Sequence, residues 1–146
     1  MLKLPEKFES YGEARKNGFL AMKDLKEKGE KVVGAFCTFV PHELVHAAGG
    51  TVVTLCASSE EPIPEAEAHL PRNLCPLIKA SYGFGLTDTC PYFYFSDFIV
   101  GETTCDGKKK MFELLNEISE LCGTVYTSDN RHRRLISISE LQRLDK

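Results

Sequence analysis

The chain has 146 residues, of which 42% are hydrophobic and 27% are charged, a composition typical of one globular domain. Its net charge of −3 argues against a general nucleic-acid or anionic-membrane surface. No apolar run reaches the roughly 20 residues that cross a bilayer, and the N-terminus lacks an apolar signal core. We therefore expect a cytoplasmic protein whose six cysteines are metal ligands, reactive thiols or core residues rather than disulfides.

The first part of the chain predicts a helix followed by a strand, a helix and a second strand. Residues 4–29 place apolar side chains at near-helical intervals, and Gly29 is a plausible stop. Residues 31–37 (KVVGAFC) and 51–56 (TVVTLC) are short apolar runs typical of buried strands. The segment PHELVHAA between them predicts a short helix, so this unit is βαβ with parallel strands.

The middle of the chain predicts a loop and then a short helix. Residues 58–71 are acidic and contain proline, which favours a solvated surface connection. Asn73 is a good N-cap for a helix over residues 76–82. The segment SYGFGLT (81–87) lacks the third glycine of a nucleotide-binding fingerprint, so its glycines predict a turn that ends this helix.

The last part predicts one more strand and an amphipathic helix. Residues 97–100 favour a third strand, and residues 101–107 a tight loop. Residues 108–121 place Met111, Leu114, Leu115, Ile118 and Leu121 on one side of a helix. Beyond it, residues 135–146 fit either a short strand and helix or a frayed end. The predicted fold class is α/β, a Rossmann-like lobe with a short, mostly parallel sheet flanked by helices.

Three cysteines fall where strands end or helices begin. Cys37 ends the first strand, Cys75 begins a helix, and Cys105 lies in the loop before the last helix. Helix N-termini favour anions, so the placement suits thiolates or an iron–sulfur cluster. No C-x-x-C pair is present, so this is neither a zinc ribbon nor a ferredoxin-type run. Structural core cysteines and a thiol redox role remain the alternatives. Cys56 and Cys122 each end an apolar run, which favours a structural role.

Two other motifs have a chemical and a plain interpretation. His42-Glu43-x-x-His46 matches the H-E-x-x-H pattern of zinc hydrolases, in which the histidines bind the metal and the glutamate is the base. The predicted helix is short, and the position of a third histidine is Val52, so two surface histidines are the alternative. Residues 108–110 (KKK) fit a solvated face, or a site for a phosphate-bearing substrate or an acidic partner.

The segments VVGAFCTFVPHELVHAAGG, LPRNLCPLIKASYGFGLTDTCPYFYFSD and VGETTCDGKKKMFELL resemble the iron–sulfur subunits of 2-hydroxyacyl-CoA dehydratases and benzoyl-CoA reductases. The double-cubane-cluster reductases of that superfamily are the branch most similar to them. The resemblance covers about residues 4–118, and residues 70–115 carry its most specific part. It implies two Rossmann-like lobes around a buried cluster and low-potential one-electron reduction.

The resemblance also implies roles for particular residues. Cys75 and Cys105 match cluster ligands of the dehydratases, and Cys90 matches a cysteine of the double-cubane branch. Cys37 lies in the F-C-T-F-V-P element and is a further possible metal ligand. Polar groups near the cluster would come from Glu43, as a possible catalytic residue, and from the hydroxyls of Thr103 and Thr104.

The implied cofactor is a [4Fe–4S] cluster or a double-cubane [8Fe–9S] cluster, with an incomplete ligand set in this chain. The implied partners are an ATPase activator with its own [4Fe–4S] cluster, a second lobe or subunit, and a CoA thioester substrate. Residues 1–118 would form the N-terminal lobe and residues 119–146 a divergent tail, so we expect a truncated or free-standing lobe. The alternatives are a non-catalytic binding or assembly module and the zinc hydrolase above.

Overall fold

The computed structural model describes residues 6–37, 40–102, 104–118 and 125–128. The elements in chain order are α1 (Glu6–Glu27), β1 (Lys31–Phe36), α2 (His42–Ala47), β2 (Gly50–Thr54), α3 (Ile63–Ala66), α4 (Pro76–Thr87), α5 (Pro91–Phe95), β3 (Phe98–Glu102), α6 (Asp106–Ile118) and β4 (Val125–Ser128). No helix among these residues is long and apolar enough to cross a membrane. The predicted features at residues 4–5, 119–121 and 135–146 lie outside the described residues.

The sheet is fully parallel within the described residues, with strand order β2-β1-β3-β4. β1 is paired on both sides, with Ala35 opposite Thr54 of β2 and Val100 of β3. It is also buried from Val32 to Phe36, as a central strand of a parallel sheet should be. The predicted α/β lobe and its βαβ unit are therefore confirmed.

Two apolar clusters cover the two faces of the sheet. The larger one joins the sheet to α4, α5 and α6 through Phe36, Ile99, Tyr82, Phe93 and Phe112. The smaller one packs Val45 of α2 against residues of β1 and β3.

At the amino-terminal ends of β1 and β3, the Asp97 carboxylate accepts hydrogen bonds from Lys26 Nζ at 2.6 Å and from the Val32 N–H at 2.7 Å. This carboxylate ties the end of α1 to the starts of β1 and β3.

The prediction that glycines end the helix after Tyr82 is wrong. α4 continues to Thr87, and Cys75 rather than Asn73 occupies its N-cap position. Gly83 is buried, and a methyl group there would overlap the carbonyl oxygen of Pro62. A Cβ at Gly85 would lie 2.7 Å from Leu115 Cδ2. The glycines are thus sites of close packing inside a helix, which local propensity cannot distinguish from a stop.

The predicted solvated loop over residues 58–71 is also partly wrong, because it contains α3 and two buried side chains, Ala66 and Leu70. Its end is fixed to α4 by Lys79, which is 6% exposed. Lys79 Nζ donates to Glu67 Oε1 at 2.7 Å and to the Arg72 carbonyl at 2.8 Å. The hydroxyl of Tyr82 lies 2.6 Å from Nδ1 of His69, and burial of the ring raises the tyrosine pKa.

The segments on either side of β3 add details that the sequence did not predict. The aromatic residues before β3 form the short helix α5, and the ring of Phe95 in this helix lies 6.0 Å from the ring of Phe19 in α1. β3 extends through Glu102, and α6 begins at Asp106, so the predicted tight loop is shorter than residues 101–107. A Cβ at Gly101 would overlap the ring of Phe112, which shows how closely α6 lies on the sheet.

We expect Gly83→Ala to destabilise the protein by about 1–3 kcal/mol or more, because the added methyl group meets backbone rather than a movable side chain. Gly12→Ala is the matched control, since no atom lies within 4 Å of a Cβ built at Gly12 in α1. That control should stabilise by about 0.5–1 kcal/mol through helix propensity. Urea denaturation measures the free energy of unfolding of both variants, and equal changes in the two would contradict the packing explanation.

The ion pair between Lys79 and Glu67 predicts a pH-dependent part of the stability. The hydrogen bond from Lys79 lowers the pKa of Glu67, so the pair stabilises the fold above the unfolded value of about 4.3. This contribution is lost as the pH falls through the lower folded pKa. Glu67→Gln should therefore be less stable than the parent at pH 7 and approach it in acid. A difference that stays constant from pH 7 to pH 3 would contradict this.

Candidate functional site

The carboxyl edge of the sheet brings together the segments that follow each strand. Cys37 directly follows β1, Cys56 lies two residues after β2, and Cys105 lies three residues after β3. In parallel sheets, this edge is where ligands bind. Cys56 is exposed rather than buried, so its apolar run does not make it a core residue.

Lys108, in the first turn of α6, connects two of these cysteines. Its ammonium donates hydrogen bonds to Sγ of Cys37 and, at 2.9 Å, to Oγ1 of Thr104. Its backbone N–H donates to Sγ of Cys105 at 3.4 Å. Lys108, Cys37, Thr104 and Cys105, together with the Glu102 described next, form what we call the thiol site. The predicted Cys37 and Cys105 are thus brought together, while Thr103 lies outside the described residues.

Glu102, the last residue of β3, forms an ion pair with Lys108. The residue is 2% exposed, and its Oε1 lies 3.8 Å from Nζ of Lys108. Its other oxygen, Oε2, is buried without a hydrogen-bond partner among the described residues. A buried carboxylate is costly unless a cation neutralises it. The ammonium of Lys108 is the cation that lies beside this carboxyl group.

The pKa of Lys108 reflects this environment. Burial of the side chain lowers the lysine pKa, but the hydrogen bond to Cys37 and the charges of Cys37, Glu102 and Cys105 outweigh burial. The net effect is a raised pKa, and Lys108 is positively charged at neutral pH. The thiol site thus combines two sulfur atoms with one fixed cation.

Cys37 has an unusual backbone conformation for a cysteine. Its φ is 70°, in the left-handed region that non-glycine residues rarely adopt. Residues held in this region cost roughly 1–3 kcal/mol and concentrate at functional sites. Here the left-handed residue turns the chain away from β1 at the point where its sulfur contacts Lys108.

Cys75 begins α4, and its carbonyl accepts the N–H groups of Ile78 and Lys79, both at 3.1 Å. The first turn of α4 lies against the first turn of α6 at Gly107. A Cβ at Gly107 would be 2.9 Å from Leu74 and from Ile78, the neighbours of Cys75 in sequence and along the helix. Packing of these two helix starts therefore positions Cys75 and Cys105 on adjoining elements, and both are exposed.

Cys90 lies in a different part of the molecule. It begins α5 and lines a cavity of about 690 Å³ between α1, the segment after β2 and the start of α5. We call this the α1–α5 cavity. Cys56 lines it too, whereas Cys37, Cys75, Cys105 and Lys108 do not. The structure thus separates the predicted cysteines into two groups.

The described residues include side chains that could bind an iron–sulfur cluster, but they do not bring enough of these side chains together to hold one. Thiol groups at the starts of two helices are suitable donors to a cluster. Among the described residues, however, no group of three or more His, Cys, Asp and Glu side chains could hold a metal ion. His42, Glu43 and His46 are exposed on α2 and do not form such a group within the described part of the chain. Further donors would have to come from outside these residues.

Comparison with known families gives the context of this site. Residues 37–143, more than two thirds of the chain, match the model of the 2-hydroxyglutaryl-CoA dehydratase, D-component family. The chain belongs to this family. The match includes both thiol-site cysteines and Lys108, and it continues through β4 into the region expected to form a divergent tail.

A curated Escherichia coli (strain K12) protein, YjiM, is also similar to this chain, and its name describes it as a dehydratase subunit. The two are 64% identical over 114 residues, which is 78% of this chain and 30% of YjiM. The chain therefore spans about a third of the length of the curated relative that it matches.

Sequence reasoning missed Glu102, and for Lys108 it left open a solvated face or a site that faces an anion. Both residues carry a signal in the sequence. Glu102 is an acidic residue at the end of a buried strand, and Lys108 is a basic residue at a helix start, where the dipole disfavours it. Each is locally unfavourable alone, and the pair explains both.

We expect Lys108→Met to destabilise the protein by about 3 kcal/mol, because it leaves the Glu102 carboxylate buried without a cation. Adding Glu102→Gln to that variant should recover part of the loss, since the amide carries no charge. Chemical denaturation of the four chains in a double-mutant cycle measures the coupling.

The pH dependence provides the control for this prediction. Because the pKa of Lys108 is raised on folding, its contribution is complete below the unfolded value of about 10.4 and is lost as the pH rises through the folded value. Purely additive effects at pH 7, or a coupling that disappears on acidification from pH 9 to pH 7, would contradict the assignment.

Proposed function

We propose that this chain is the thiol-bearing N-terminal lobe of an iron–sulfur dehydratase subunit that takes part in ATP-dependent, low-potential one-electron chemistry. The observation that carries the proposal is the joining of Cys37 and Cys105 by Lys108 at the carboxyl edge of the sheet, with Cys75 on the adjoining helix start. Membership of the dehydratase family supports the same conclusion.

In this proposal, Cys75 and Cys105 are cluster ligands, and Cys37 is either a third ligand or a sulfur held beside the cluster by Lys108. The remaining donors would be supplied by a second lobe or a partner subunit. Cys90 would serve only in a double-cubane form, since it lines the α1–α5 cavity rather than the thiol site. A bound cluster would supply single electrons at low potential to a CoA thioester.

The residues of this chain would act by positioning and by charge. Lys108 holds two sulfur atoms and the Thr104 hydroxyl in place, and Glu102 holds Lys108. A fixed ammonium group beside thiolates offsets part of the negative charge that a cluster brings to a low-dielectric site. Glu43 would be a polar group of the surrounding surface, as it is exposed on α2.

The proposed partners follow from the missing donors and from the family. They are the second lobe or subunit that completes the ligand set, and an ATPase activator with its own [4Fe–4S] cluster that delivers electrons in the cytoplasm. Residues 1–118 would be the lobe proper, and residues 119–146 its variable continuation. Because no group of three or more donor side chains comes together among the described residues, the second candidate is a lobe with an assembly or binding role and no catalysis.

Anaerobic reconstitution with iron and sulfide tests the proposal. The complete chain, mixed with a separately expressed remainder of a family subunit, should bind iron equivalent to about one cluster per complex and absorb near the wavelengths of iron–sulfur proteins. Cys75→Ala or Cys105→Ala should remove most of this iron. Cys56→Ala is the matched control, because Cys56 is also exposed but lines the α1–α5 cavity.

The outcomes separate the two candidates. Iron that depends on Cys75 and Cys105 supports the cluster-binding lobe. A stable complex that binds no iron would contradict it and would support the assembly role. Iron lost equally with Cys56→Ala would contradict the assignment of ligands to the thiol site.

A further inference from the structure

The α1–α5 cavity has the size and lining of a small-molecule site. Its volume of about 690 Å³ lies within the range of ligand pockets in proteins. Apolar side chains provide much of the wall, including Phe19, Leu20, Leu55, Phe84 and Tyr92. None of the thiol-site residues contributes to it, so the cavity requires an explanation of its own.

A glycine in the middle of α1 helps to keep this space open. Gly12 lines the cavity and lies in the interior of a helix, where glycine is among the poorest residues. No atom comes within 4 Å of a Cβ built there, so close packing does not require a glycine. Gly18, on the same helix, differs because a Cβ there would lie 2.8 Å from the Tyr92 hydroxyl. Because Gly12 has no side chain, it leaves this part of the α1–α5 cavity unfilled.

The cavity also carries an uncompensated positive charge. Arg15 and Lys16, one turn after Gly12, line it and form no ion pair with any described residue. No carboxylate is among the lining residues. An apolar wall beside two cations that the described residues leave without an ion pair complements a ligand with an apolar body and an anionic head.

We propose that the α1–α5 cavity binds a small amphipathic organic acid, such as a medium-chain carboxylate. The chain of the acid lies against the apolar wall, and its carboxylate meets Arg15 and Lys16. The sulfur atoms of Cys56 and Cys90 add polarizable surface to the same wall. This site is separate from a cluster held by the thiol site and Cys75, because it uses none of Cys37, Cys75, Cys105 and Lys108.

Calorimetric titration of the iron-free chain with octanoate tests the proposal, with 1-octanol as the neutral probe of equal length. Octanoate should bind saturably at one site, and octanol should bind several-fold more weakly. The double variant Arg15→Gln/Lys16→Gln should weaken octanoate roughly three- to tenfold and remove the preference over octanol. Lys23→Gln/Lys28→Gln removes the same charge from α1 and its end, outside the cavity, and should change neither value.

Occlusion of the cavity provides a second variant that should fold. Gly12→Phe places a ring in space that no atom occupies, and should abolish octanoate binding, whereas Gly12→Ala should retain it. Because Cys56 is exposed and lines the cavity, bound octanoate should also slow its alkylation by iodoacetamide. Alkylation of Cys105, outside the cavity, should be unaffected.

Several results would overturn the proposal. Octanoate and octanol binding equally would show a general apolar surface instead of an acid site. Absence of saturable binding in chains that fold normally would show that the cavity is not a ligand site. Iron that loads onto Cys90 and excludes octanoate would assign the cavity to a double-cubane cluster. Failure of iron to load at the thiol site would leave this proposal unaffected, because the titration uses iron-free protein.

Discussion

Parallel pairing of β1 with a strand on each side is the constraint on which the rest of this structure depends. Parallel strands must all end at the same edge, so the segments after β1, β2 and β3 meet there. The cysteines that follow these strands are far apart in sequence and come to one edge without any local motif. The helices then cover the sheet and bring the starts of α4 and α6 together at Gly107.

At that edge, the buried carboxyl group of Glu102 and the ammonium of Lys108 form an ion pair in which each group stabilises the other. Neither group is favourable where it lies unless the other is present. The same ammonium also contacts Cys37, Thr104 and, through its backbone, Cys105. The residue that pairs with the buried carboxylate is therefore also the residue that holds the two sulfur atoms in place.

The chain spans about a third of a relative with which it shares 64% identity, and no group of three or more metal-binding side chains comes together among its described residues. The proposed function accounts for both facts by making the edge of this lobe one half of a site. The α1–α5 cavity is different in kind, because its wall is formed by α1, α5 and the segment after β2 within this lobe. Two sites with different chemistry can therefore lie on one small sheet.

The sequence by itself determined β1, β2 and β3, the parallel βαβ unit and the family, because short apolar runs and the segments around Cys75 and Cys105 are local signals. It also predicted that Cys37 and Cys105 lie where strands end or helices begin, as the structure has them. It did not predict β4. Only the tertiary structure decided that Gly83 lies inside a helix, that Lys108 pairs with Glu102, and that Cys56 and Cys90 line a separate cavity. The physical reason is that these features depend on contacts between residues distant in sequence, whose close approach and mutual charge compensation no local propensity contains.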